Sequence, residues 1–98
     1  MKKILIIDDE EDFTKPVKLN LEAIGKYVVR AENKGALGPS AVKQFKPDII
    51  LLDILMPDME GNEVAYQIKS DKDTKNIPIV FLTVIAKEDE IKKEGTYL

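Results

Sequence analysis

Ninety-eight residues, 44% apolar and 34% charged, read as one small globular domain spanning 1–98. A net charge of −3, with 15 basic residues against 18 acidic ones, offers no cationic surface for nucleic acid. Cysteine and histidine are both absent, which excludes disulfides, thiolate nucleophiles and imidazole ligands and leaves oxygen as the donor for any metal.

The chain opens Met1-Lys2-Lys3-Ile4-Leu5-Ile6-Ile7, a brief imitation of a signal peptide. Its apolar stretch is too short for one and runs straight into Asp8-Asp9-Glu10-Glu11-Asp12. No apolar run approaches the roughly 20 residues that cross a membrane, so the expected location is the cytoplasm. Residues 4–7 are rich in isoleucine and do not alternate with polar residues, which predicts a strand covered on both faces. A helix follows over 11–24, with Phe13, Val17, Leu21 and Ile24 on one stripe and Gly25 as its natural stop. Pro16 lies past the tolerated first turn and predicts a kink or a late start.

Residues 27–31 form a weaker strand, expected near a sheet edge. The stretch 33–37 resembles a helix start, but Gly38-Pro39 interrupts it. Pro39 suits the first position of a short helix ending near Phe45. A second buried strand is expected over 49–52. A third helix follows over 61–69, with Val64, Ala65 and Ile68 facing in, and 70–76 is a polar loop. Residues 79–82 form the third apolar run. The charged stretch 87–94 is long enough for about two helical turns, and Tyr97-Leu98 would begin a last strand. Strand and helix in alternation predict right-handed crossovers and a doubly wound parallel α/β sheet.

In such sheets ligands sit beyond the carboxyl ends of the strands, where the strand order reverses. The first apolar run ends in Asp8 and Asp9, the second in Asp53, the third in Thr83. Taken singly, Asp8 or Asp9 would cap the first helix, Asp53 would end a strand, and Thr83 would be an ordinary β-former. Their joint position at three strand ends favours a site. Convergent carboxylates repel and raise a pKa unless a cation relieves them. Mg2+ takes one or two carboxylates and recruits phosphate oxygens. A carboxylate can itself attack phosphorus to give an aspartyl phosphate, and the Thr83 hydroxyl would donate to the transferred group.

The blocks Ile4-Leu5-Ile6-Ile7-Asp8-Asp9-Glu10, Pro47-Asp48-Ile49-Ile50-Leu51-Leu52-Asp53-Ile54-Leu55-Met56-Pro57-Asp58-Met59-Glu60-Gly61 and Ile77-Pro78-Ile79-Val80-Phe81-Leu82-Thr83 resemble the receiver domains of bacterial response regulators, the CheY-like family. The resemblance covers essentially the whole chain. It implies a flavodoxin-like sheet of order 2-1-3-4-5. It implies that Asp53 accepts the phosphoryl group and that Mg2+ is held by Asp8, Asp9, Asp53 and the backbone carbonyl of Leu55. Thr83 would bond a phosphoryl oxygen, and Thr83 with Tyr97 would form the switch. Pro57 and Gly61 would shape the loop before the third helix. The donor would be a phosphohistidine on a sensor histidine kinase, or a small acyl phosphate. The output would be contact with a downstream protein, not DNA binding by this chain. Any catalysis would be limited to its own phosphorylation and dephosphorylation.

The family also places a lysine at the end of the fifth strand, two residues beyond the pair matching Tyr97-Leu98. The chain is therefore expected to be truncated before it, with strand 5 and helix 5 incomplete or missing. An uncovered sheet edge would be open to a second copy of the chain. The alternative is a pseudo-receiver, a binding module of the same fold that is not productively phosphorylated. A flavin-binding domain of this topology would need a phosphate-cradling loop after the first strand, where acids stand instead.

Overall fold

The computed structural model describes residues 1–82. Its elements are β1 (Lys2–Ile7), α1 (Glu11–Ala23), β2 (Tyr27–Glu32), a 3-10 turn (Gly35–Leu37), α2 (Gly38–Phe45), β3 (Ile49–Leu52), α3 (Gly61–Ser70) and β4 (Ile79–Phe81). The strands form one parallel sheet in the order β2-β1-β3-β4. The doubly wound fold is thus as the sequence predicts, with β2 at an edge. Thr83, the charged stretch 87–94, Tyr97 and the expected fifth strand lie outside the described residues.

Successive side chains of a strand point to opposite faces, and β1 divides its isoleucines and leucine accordingly. Leu5 and Ile7 join Ile50 and Leu52 of β3 on one face, covered by Ala41 and Val42 of α2 and Val64 and Ile68 of α3. Ile4 and Ile6 point to the other face with Val29 and Leu82, where Phe13, Val17 and Leu21 of α1 pack over them. Both faces of β1 are therefore dry, which is why its sequence does not alternate. Burying each such side chain contributes about 1.5–3 kcal/mol.

The helices depart from expectation in two places and narrow it in a third. Helix α1 starts at Glu11 and carries Pro16 within it, so the start is not delayed. Ile24, assigned to the buried stripe, is 57% exposed. The helix has ended by then: Ile24 is its cap residue, and Gly25 turns the chain away at φ +84°. Pro39 stands at the second helical position, because Gly38 is the first residue of α2. Its missing N–H has no intrahelical acceptor at either position, so the substitution of register costs nothing. At the other end α2 closes on Lys46 in the left-handed region, φ 53°.

Candidate functional site

Parallel strands end together, so whatever follows β1 and β3 is brought side by side. Ile7 pairs with Leu52, and the Asp53 N–H donates to the Ile7 carbonyl at 2.9 Å. Asp8 and Asp53 are the next residues on their two strands and are 1% and 2% exposed. Asp9 is partly exposed beside them. One carboxylate oxygen from each of Asp8, Asp9 and Asp53 lies within 4.8 Å of the other two. The convergence expected at the strand ends is present.

Asp8 is held on several sides. Its N–H donates to the Glu32 carbonyl at 3.1 Å. Its carbonyl accepts from Asn33 Nδ2 at 2.8 Å, and its Oδ1 accepts from the Glu10 N–H at 2.9 Å. Its Oδ2 is buried with no hydrogen-bond partner among the described residues. Burial raises the Asp8 pKa from 3.8 to about 6, partly opposed by the Glu10 amide and reinforced by the charges of Asp53, Asp9 and Glu10. The simple capping role is not what the structure shows: Glu10 is the cap residue of α1, and its side chain makes no capping hydrogen bond.

The loop after Asp53 is pinned at three points. The Leu55 N–H donates to Asp53 Oδ1 at 3.3 Å, while the Leu55 side chain stays exposed. The Gly61 N–H donates to the Ile54 carbonyl at 2.7 Å. Asp58 accepts from the Ala36 N–H at 3.0 Å and the Gly35 N–H at 3.2 Å, tying the loop to the 3-10 turn before α2. Asn33, Thr14 and Asp58 support the site without having stood out in the sequence. Their side chains bond to groups distant in the sequence and leave no periodic signal. Thr83 and Tyr97 lie outside the described residues, so their places in the site are not part of this geometry.

A buried, unpartnered carboxylate oxygen and two further carboxylates around one point suit a hard divalent cation. With neither histidine nor cysteine in the chain, the donor set is all oxygen. Asp8, Asp9 and Asp53 therefore fit Mg2+.

The family model described as response regulator receiver domain matches residues 4–96. Protein PilH of Pseudomonas aeruginosa is 36% identical over 90 residues, covering 92% of this chain and 74% of that protein. The DNA-binding dual master transcriptional regulator RpaA of Synechocystis is 36% identical over 93 residues, covering 94% of this chain but 38% of RpaA. The chain thus spans about two fifths of RpaA's length. Among solved structures, the N-terminal domain of a response regulator receiver protein from Methanoculleus marisnigri superposes with a TM-score of 0.78 at 30% identity, over 100% of this chain and 80% of that one. Among the described residues no helix is long and apolar enough to cross a membrane. With the fold, the sheet order and the carboxylate cluster all in agreement with these matches, the chain belongs to the response regulator receiver domain family of two-component signalling.

Proposed function

We propose that residues 1–98 act as one phosphoryl-accepting switch, with Asp53 as the acceptor in a Mg2+-dependent reaction. The observation that carries this reading is the approach of the Asp8, Asp9 and Asp53 carboxylates to within 4.8 Å of one another. Asp8, Asp9, Asp53 and the Leu55 carbonyl would hold the ion, which when bound offsets their repulsion and the charge of the phosphoryl oxygens.

An Asp53 carboxylate oxygen attacks the phosphorus of a phosphohistidine on a sensor kinase, or of a small acyl phosphate. The new O–P bond forms as the bond to the leaving group breaks. The leaving histidine nitrogen, or acyl oxygen, keeps the electron pair, and Asp53 becomes an acyl phosphate. The chain's own part is to hold the nucleophile still and dry. Asp53 is 2% exposed. Its N–H is tied to β1, and its Oδ1 accepts from the Leu55 amide. Fixed geometry of this kind is most of what phosphoryl transfer asks of a protein. Thr83 donates to a phosphoryl oxygen, and Thr83 and Tyr97 carry the change to a downstream protein target.

Acetyl phosphate with Mg2+ tests the reading. Intact-mass measurement should show one added phosphoryl group, lost on Asp53→Asn and on chelation of the metal. Beryllofluoride with Mg2+ should perturb the amide resonances around residues 8, 9 and 53. Labelling that persists in Asp53→Asn, or an intact chain that responds to neither reagent, would refute it.

A further inference from the structure

We propose that Asn33 is a positioning residue for the acidic site, holding the end of β1 so that Asp8 stands where an ion shared with Asp9 and Asp53 requires it. The inference rests on the metal reading above and concerns a residue outside the carboxylate set.

Asn33 follows the last residue of β2, whose carbonyl already accepts the Asp8 N–H. Its side-chain nitrogen then donates twice: to the Asp8 carbonyl at 2.8 Å and to Thr14 Oγ1 at 3.1 Å. A primary amide nitrogen carries two hydrogens, and these two bonds use both. Thr14 is buried in the first turns of α1, and its own N–H donates to the Glu10 carbonyl. Glu10 in turn gives its N–H to Asp8 Oδ1. One amide group therefore joins the end of β2, the end of β1 and the start of α1 into a closed frame around Asp8. The frame engages the Asp8 main chain on both sides and one carboxylate oxygen. It leaves Oδ2 as the polar atom without a partner among the described residues.

Asparagine suits this position because it supplies donors without charge. Aspartate has nearly the same shape. It would set an acceptor against the Asp8 carbonyl, where an acceptor repels, and it would add a further negative charge to the neighbourhood. Coulomb attraction alone makes Asn33→Asp bind Mg2+ more tightly; loss of positioning makes it bind more weakly. The two effects have opposite signs, and that separates them.

The test is calorimetric titration of Mg2+ into the intact chain and its variants, well below their melting temperatures. Asn33→Asp and Thr14→Val should each weaken Mg2+ binding, by roughly ten-fold for a lost outer-shell support. Thr14→Ser, which keeps the hydroxyl, should bind like the unaltered chain. Ile68→Val trims the core on the other face of the sheet and should leave affinity unchanged, showing that lost stability alone is not the cause. In Mg2+-free protein the Glu10 amide resonance should move in Asn33→Asp and Thr14→Val but not in Thr14→Ser. If Asn33→Asp does not fold, the Thr14 pair decides. Equal or tighter binding by the foldable disruptive variants overturns the positioning role and leaves the metal reading intact. An unaltered chain without saturable Mg2+ binding removes the metal reading and this inference with it.

Discussion

Gly61 lies directly against the main chain of Asp53. A Cβ on Gly61 would overlap the Asp53 carbonyl oxygen and come within 2.6 Å of the Ile54 Cα. These are backbone atoms and cannot swing aside as a side chain could. The Gly61 N–H closes the contact by donating to the Ile54 carbonyl at 2.7 Å. The start of α3 is thus seated on the strand end that carries the proposed acceptor. Gly61→Ala should force the two segments apart and destabilise the fold by about 1–3 kcal/mol, the usual cost of overpacking. It should also weaken Mg2+ binding and slow labelling by acetyl phosphate, because Asp53 moves with its backbone. Urea unfolding and Mg2+ titration check the two effects separately.

Asp8 makes the fold sensitive to pH in an unusual direction for a carboxylate. Its pKa is raised from 3.8 to about 6, chiefly by burial. The folded chain therefore binds this proton more tightly than the unfolded chain does. Its stability contribution is fully present below about pH 4 and is lost as pH rises through about 6, on the order of 2–3 kcal/mol in all. Without Mg2+, the chain should become less stable as pH rises from about 4 through 6, and Asp8→Asn should remove that slope. Added Mg2+ should reverse the trend in the unaltered chain, since the ion favours the charged carboxylates, and should do little for Asp8→Asn. Urea midpoints at several pH values, with Mg2+ or chelator, measure all four cases. A slope that survives in Asp8→Asn would assign it to another group.

Asp58 has the opposite sign. The Ala36 amide, followed by that of Gly35, holds its carboxyl below the usual range. Such a group stabilises above its unfolded pKa, and that contribution disappears as pH falls through the folded value. Asp58→Ala should lower stability at neutral pH and converge with the unaltered chain in acid. Because the same carboxylate joins the loop after Asp53 to the turn before α2, the Gly35 and Ala36 amides should exchange with solvent faster in the variant. Hydrogen-exchange NMR reads this at the two residues concerned. Unchanged protection there would mean that the turn holds itself without Asp58.

What was legible in the sequence follows from how each feature is encoded. Residues 4–7 of β1 are a continuous apolar run because both faces are covered there, β3 buries Ile50 and Leu52 fully and Ile49 and Leu51 in part, and the carboxylates are legible because parallel strands bring their ends together. The α3 residues Val64, Ala65 and Ile68 face the core as their spacing predicts. Ile24 misled because helical spacing carries on past the point where Gly25 ends the helix. Asn33, Thr14 and Asp58 were silent for a different reason. Each acts through one or two hydrogen bonds to groups 19 to 25 residues away, and such bonds impose no pattern on neighbouring residues. The buried Thr74, beyond the end of α3, acts over a shorter span, its hydroxyl donating to the Ile68 carbonyl at 2.6 Å.

Lys46 shows a position where the sequence works against its own backbone. It closes α2 at φ 53° and ψ 60°, with its N–H donating to the Val42 carbonyl at 2.9 Å. The left-handed region crowds the Cβ of an L-residue against its carbonyl at a cost of roughly 1–2 kcal/mol, which glycine avoids. Glycine gives part of that back through the greater freedom of its unfolded chain. Lys46 is exposed, so little packing is lost with its side chain. Lys46→Gly should therefore stabilise the fold by about 0.5–1 kcal/mol, raising the melting temperature by about 2–8 °C for a domain of this size. Lys46→Ala keeps the Cβ and should gain nothing. A rise in the alanine variant equal to that in the glycine variant would trace the effect to the lysine charge instead of the backbone. Mg2+ affinity should stay the same in both, because Lys46 precedes β3 and the acidic site follows it.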